Sequence, residues 1–220
     1  MAITYELHPQ NPQKRTVEKI VQQLRRGALM LYPTDTVYAI GCDLEAKTAI
    51  KRVRELKQMS NDKPLTFLCS SLSNIADYAI VQDFAYRQMK HLVPGPYTFI
   101  LRATKQVPKL VMNPKRKTTG IRVPDQAICQ ALLAELGNPI ISTSAHPMER
   151  ESADLDQPYS SRYELFDALE GVVDLIVDSG EEPSNEASTI VEMTGDEPLI
   201  LRRGLGAEAV SEFELAESSF

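Results

Sequence analysis

The chain has 220 residues, of which 43% are hydrophobic and 25% charged, a balance that suits one globular α/β domain with a substantial core. Its apolar runs are shorter than about 10 residues, below the roughly 18 of a membrane-crossing helix, and the start MAITYELHPQ lacks the pattern of a secretion signal, so a cytoplasmic protein without a membrane partner is expected. The net charge of −6 conceals a split: residues 1–148 carry 20 Lys and Arg against 11 Asp and Glu (+9), and residues 149–220 carry 4 against 19 (−15).

In chain order, apolar residues at Val17, Ile20, Val21 and Leu24 predict a helix over 16–26, stopped by Gly27. A buried strand is predicted over 28–32. It halts at Pro33, which has no backbone donor, and after Thr34, Asp35 and Thr36 the chain resumes an apolar course from Val37 to Gly41. The spacing of Ala49, Ile50, Val53 and Leu56 predicts a helix over 46–57. A short strand at 65–69 and helical patterns at 72–78 and 83–91 follow. The turn Pro94-Gly95-Pro96 opens a strand at Tyr97. Further strands are predicted at 119–123, 140–142, 175–177, 188–191 and 199–201, with helices at 126–136 and 161–169. No strict β-α-β rhythm runs through this order, so the expected fold is one α/β domain over 1–206, with a mixed, twisted, open sheet flanked by helices, and an acidic tail over 207–220.

Cys42, Cys69 and Cys129 are far apart and odd in number, and neither they nor the three histidines have metal-ligand spacing. They read as free thiols, and a structural zinc site is not expected.

Small hydroxyls and arginines recur at predicted strand ends: Thr34 and Thr36 in PTDTVY, Thr98 in GPYT, Arg122 in TGIRVP, Ser142 and Ser144 in ISTSAH, Ser188 in EASTIVE, and Arg202 in ILRRG. Each taken alone also suits an ordinary turn, because Thr, Ser and Asp bond neighbouring amides. Together they suit a ligand bearing phosphate or carboxylate, on which arginine forks, and strand ends are where α/β folds collect ligands. Arg102, Lys105, Lys109, Lys115, Arg116, Lys117 and Arg122 form a basic stretch without a single acid. It reads either as a solvated loop or as a local field for phosphates and nucleic acid. There is no P-loop, no G-x-G-x-x-G, no G-x-S-x-G and no kinase signature.

The blocks YPTDTVYAIGCD, KQMSNDKPL, PGPYTFIL, GIRVP, STSAH, EASTIVEM and ILRRG, in this order over about residues 15–206, resemble the threonylcarbamoyl-adenylate synthase family, the YrdC-like proteins. NPKRKTTGIRVP and the leading HPQNPQKR resemble its YciO-like branch most. The resemblance implies a YrdC/RibB-type fold with a concave, positively charged cleft. It also implies that L-threonine, bicarbonate and ATP, with Mg2+, are joined into threonylcarbamoyl-AMP for the threonylcarbamoyladenosine modification of tRNA.

Carried over by the same resemblance, Lys57 and Ser144 are catalytic. Thr34, Thr36, Tyr38, Arg122 and Ser188 bind the substrate, and Lys63, Thr98, Ser142, His146 and Arg202 bind the nucleotide. Two positions depart from the pattern. Met59 replaces the arginine of K-x-R, and His146 replaces the asparagine of S-A-N. A methionine cannot pair a phosphate, and a charge-assisted contact is worth about 1.5–3 kcal/mol, or roughly tenfold to a hundredfold in rate. These departures imply weak synthase activity or a changed substrate. The alternative is a non-catalytic or moonlighting protein that binds double-stranded RNA or tRNA through residues 102–122, as a monomer or homodimer.

Overall fold

The computed structural model describes residues 1–56, 65–73, 75–145, 161–182 and 184–210. The elements are β1 (Ile3–Glu6), α1 (Lys14–Arg25), β2 (Met30–Tyr32), β3 (Ala39–Asp43), α2 (Lys47–Leu56), β4 (Thr66–Leu68), β5 (Ala79–Ile80), α3 (Asp83–Leu92), β6 (Tyr97–Ala103), β7 (Thr118–Arg122), α4 (Ala127–Leu136), β8 (Ile140–Ser144), α5 (Arg162–Leu169), β9 (Leu175–Asp178), β10 (Thr189–Glu192) and β11 (Leu199–Arg202). All the strands join one sheet in the order β1-β9-β2-β3-β8-β4-β7-β6-β10-β11, with β5 on the far half of β6. Pairing is mixed: β1–β9, β2–β9, β4–β7 and β6–β10 are parallel, and the other pairs are antiparallel. The expected mixed open sheet is the observed one.

Strand alternation sorts the core into two layers. Leu31, Ile40, Phe67, Phe99, Ile121, Ile141, Ile176 and Val191 face one side, where Ala49, Ile50 and Val53 of α2, Ala85 and Met89 of α3, and Leu165 and Leu169 of α5 pack. Met30, Tyr32, Ala39, Leu68, Ile140, Leu175 and Val177 face the other, under Val17, Ile20, Val21 and Leu24 of α1 and Ile128, Cys129, Leu132 and Leu133 of α4. That second layer covers the half of the sheet around β9, β2 and β3. Toward β7, β6 and β10 the same face carries no helix of the second layer among the described residues, and there the site lies.

Local chemistry sets several boundaries. Gly27 and Gly137 take left-handed backbone (φ 92 and 79) just past α1 and α4, where a residue with a Cβ is strained. The Gln126 side chain accepts the Cys129 amide at the start of α4, and Ser161 accepts that of Glu164 at the start of α5. The helix expected over 72–78 is a 3-10 turn, Ile75–Asp77, because Leu72, Ile75 and Tyr78 recur every three residues, the 3-10 repeat. β8 runs two residues beyond its predicted end, through Thr143 and Ser144, because β3 pairs with it along that whole length. Residues 207–210 are helical, and Ala207 and Val210 are buried, so the packed domain continues past 206. Residues 211–220 lie outside the described residues. No helix among the described residues is long and apolar enough to cross a membrane.

Candidate functional site

The face left open by the second helix layer forms the floor of a cavity of about 410 Å³. Strands β4, β6 and β7 contribute alternate residues to it, Thr66 and Leu68, Thr98 and Ile100, and Thr118 and Arg122; β8 contributes Ser142, Thr143 and Ser144, and β10 Ile190, preceded by Ser188. Thr34 and Thr36 come in from the turn after β2, Arg202 from the end of β11, and Arg116 from the loop before β7. Period-two alternation therefore puts hydroxyls on the open face and Phe67, Phe99, Ile121 and Ile141 in the core, using the same strands.

The polar groups are tied into two networks. At the β2 turn, Thr34 Oγ1 accepts the Thr36 amide (3.1 Å) and donates to the Val37 carbonyl (2.7 Å), and the two threonine hydroxyls stand 3.1 Å apart. Arg122 Nη2 donates to Thr36 Oγ1 (2.9 Å) and to Asp35 Oδ1 (2.6 Å), closing a nearly buried ion pair. Asp35 Oδ2 and Arg122 Nε, both buried, have no hydrogen-bond partner among the described residues. In the second network Thr98 Oγ1 and Ser188 Oγ are 3.0 Å apart, and Arg202 donates to the Ser188 hydroxyl (3.1 Å) and, twice, to its carbonyl. Burial and the nearby Arg122 charge both lower the Arg202 pKa. Arg122, paired with Asp35, and Arg202 thus share one partly desolvated space, a setting chemically able to take up an anion.

Ser142 is anchored differently. Its hydroxyl lies 2.6 Å from that of Tyr32. Complete burial raises the Tyr32 pKa far above its ordinary value, so this phenol stays protonated and holds Ser142 at the cavity wall.

Of the residues singled out in the sequence, Thr34, Thr36, Thr98, Arg122, Ser142, Ser144, Ser188 and Arg202 come together around this one cavity. Tyr38 is not among its lining residues. Its hydroxyl stands 3.2 Å from Ser179 Oγ and its ring meets the edge of Phe166, which makes it a wall of the first core layer. Lys57, Met59, Lys63 and His146 lie outside the described residues. Sequence reasoning missed Thr66, Thr118 and Arg116 as lining residues, as well as the partnership of Asp35. Thr66 and Thr118 sit two residues from Leu68 and four from Arg122, so strand alternation from those positions was the available signal.

Among the described residues the lining includes no Asp or Glu, and no cluster of His, Cys, Asp and Glu suited to a metal ion is found. This donor set suits a metal that enters on a phosphate ligand better than one held by a protein cage.

The Sua5, YciO and YrdC family model, described as telomere recombination, matches residues 22–204. The chain belongs to this family. An uncharacterized YciO protein of Escherichia coli (strain K12) is 39% identical over 206 residues, covering 94% of this chain and 97% of that protein. The crystal structure of E. coli YciO matches this Sua5/YciO/YrdC fold with a TM-score of 0.85 over 94% of this chain and 97% of that one. A threonylcarbamoyl-AMP synthase of Vibrio vulnificus (strain YJ016) is more distant, 32% identical over 133 residues, 59% of this chain and 71% of that protein. P. abyssi Sua5 crystallised with L-threonine matches with a TM-score of 0.79 and 25% identity, over 93% of this chain and 57% of that one.

Proposed function

We propose that the chain is an ATP-dependent synthase of L-threonylcarbamoyladenylate. One observation carries the reading: one half of a sheet face gathers three arginines, Arg116, Arg122 and Arg202, and a ring of hydroxyls around a cavity whose lining, among the described residues, holds no carboxylate. That inventory suits a substrate set made of a carboxylate, bicarbonate and a triphosphate. Membership of a family in which relatives are named threonylcarbamoyl-AMP synthase, and a Sua5 neighbour crystallised with L-threonine, support it.

In this reading the threonine amine adds to bicarbonate with loss of water. An oxygen of the resulting carbamate then attacks the α-phosphorus of ATP, and the bond to the pyrophosphate oxygen breaks, that oxygen keeping the electron pair. Nothing here needs a protein nucleophile. Positioning and charge neutralisation lower the barrier. Arg122, Thr34, Thr36 and Ser188 hold the amino acid, Thr98, Ser142 and Arg202 the nucleotide, and Ser144 stands beside the reacting atoms. Magnesium arrives as MgATP, a substrate. Tyr38 supports the wall.

The test is incubation of the full chain with MgATP, bicarbonate and labelled L-threonine. Threonine-dependent pyrophosphate and a labelled adenylate are expected. No product above an Arg122→Ala control would overturn the assignment. A second reading, contact with RNA phosphates, is supported by a shallow groove beside the cavity that gathers Arg102, Arg116 and Lys117. It expects duplex-RNA binding that is lost in a Lys115→Ala/Arg116→Ala/Lys117→Ala variant.

A further inference from the structure

Arg116 stands on the ridge between the cavity and that shallow groove and lines both. Its guanidinium reaches Glu192 Oε2 at 3.5 Å, and its side chain is 66% exposed. Such a long, solvated contact holds weakly. The backbone under it is fixed firmly. Asn113 Oδ1 accepts the amides of Lys115 (3.0 Å) and Arg116 (2.9 Å). The Lys117 amide donates to the Asn113 carbonyl, and the Asn113 amide to that of Thr118, each at 2.8 Å. Lys117 is held at φ 52, in the left-handed region that a residue with a Cβ rarely takes. A turn built this tightly, at a strained residue, presents Arg116 in one place on a loose tether.

Register gives that place meaning. Thr118 and Arg122 face the cavity from the same strand, four residues apart, which is about 13 Å. Arg122 and Arg202 mark one end, and Arg116, two residues before Thr118, marks the other. A single small anion answers the first end only. A ligand with a second anionic terminus reaches the other, and phosphate oxygens displace a weak 3.5 Å contact with one carboxylate, because guanidinium forks onto phosphate in two bonds.

We propose that Arg116 exchanges Glu192 for the distal phosphates of a bound nucleoside triphosphate, which makes the Asn113–Thr118 turn a polyphosphate clamp. This rests on the part of the reading above that seats a triphosphate in the cavity.

The experiment measures binding of MgATP, AMP and inorganic tripolyphosphate to the full chain by calorimetry. The proteins compared are the wild type, Arg116→Ala, Arg116→Lys, Glu192→Gln and Lys105→Ala, the last a basic position of the same stretch that lines neither cavity. Arg116→Ala is expected to weaken MgATP and tripolyphosphate about tenfold or more and to leave AMP unchanged. Arg116→Lys restores part of the loss, Glu192→Gln tightens MgATP, and Lys105→Ala has no effect. Equal losses for AMP and MgATP, unchanged MgATP binding in Arg116→Ala, or a loss confined to duplex RNA would each overturn the clamp. A wild type that binds neither MgATP nor AMP overturns the clamp and the synthase together. A wild type whose MgATP affinity depends on Arg116 but which forms no adenylate upholds the clamp and overturns only the synthase.

Discussion

Arg122 and Asp35 are 87 positions apart in the chain and 2.6 Å apart in the fold, and their pairing shapes what the cavity can do. The arginine is nearly buried, and with Asp35 and Thr36 gripping Nη2 its guanidinium is held at one angle. Removing one partner of such a pair leaves an uncompensated buried charge, at a cost of about 3–5 kcal/mol. Asp35→Ala is therefore expected to lower unfolding free energy by about that much in urea titration. Asp35→Ala/Arg122→Met should recover a good part of it, and additive losses in the double variant would show that the two groups are not coupled. The arginine at the strand end was legible in TGIRVP, because strand ends fall on the rim where ligands bind. Asp35 stood in plain view within PTDTVY, but no local pattern connects it to a residue four strands away in the sheet order. The same holds for Thr98 and Ser188, 90 positions apart. The sequence displays which groups reach the rim, and only the folded topology decides which of them meet.

The strands divide one face into a covered half and an open half, and β3 lies close to the boundary. Gly41 on β3 is flanked by Met30 of β2 and Ser142 of β8. A Cβ there would stand 2.8 Å from both Tyr32 Cε1 and Ile140 Cγ2, so the glycine makes room for the phenol that holds Ser142. Gly41→Ala is expected to cost about 1–3 kcal/mol by overpacking and to free the Ser142 hydroxyl from Tyr32. Tyr32→Phe removes the same hydrogen bond without the clash, at about 1 kcal/mol. Comparing the two by urea titration separates the steric effect from the polar one; equal losses would deny the clash. Elements with a strong apolar period, such as α1 and α2, were readable because their buried stripes are set by local spacing. β1, with its mostly exposed ITYE, and β5, two residues long, carry no such period. They are strands only because β9 and β6 offer them open edges. The open half over β7, β6 and β10 was legible only in part: the hydroxyls alternating with apolar residues announce a polar face, but no segment says where the packing of α1 and α4 will stop.

For the molecule as a whole, net charge and local field point in opposite directions. At −6 overall, the protein repels anions at long range, yet the basic portion before residue 149 supplies Arg116 and Arg122 to the cavity, and Arg202 joins them from the acidic remainder. Within a Debye length, about 10 Å at 0.1 M salt, Asp35 and Glu192 answer Arg122 and Arg116, and the guanidinium of Arg202, held by Ser188, leaves a positive excess at the cavity. An anionic ligand that binds only the folded state stabilises it by mass action, by about 2.7 kcal/mol at a hundred times its dissociation constant. For a chain of this size that is a rise in melting temperature of roughly 5–10 °C. MgATP is expected to produce such a rise at 0.1 M salt, and the rise should shrink at 1 M, where the Debye length is about 3 Å. Arg202→Ala should lower it at both concentrations, and uncharged adenosine should give far less at either. Differential scanning calorimetry across this series decides the matter. If adenosine stabilises as strongly as MgATP, or if the MgATP shift is the same at both salt concentrations, the arginines do not govern binding and the cavity selects its ligand by its apolar floor of Leu68, Ile100 and Ile190 instead.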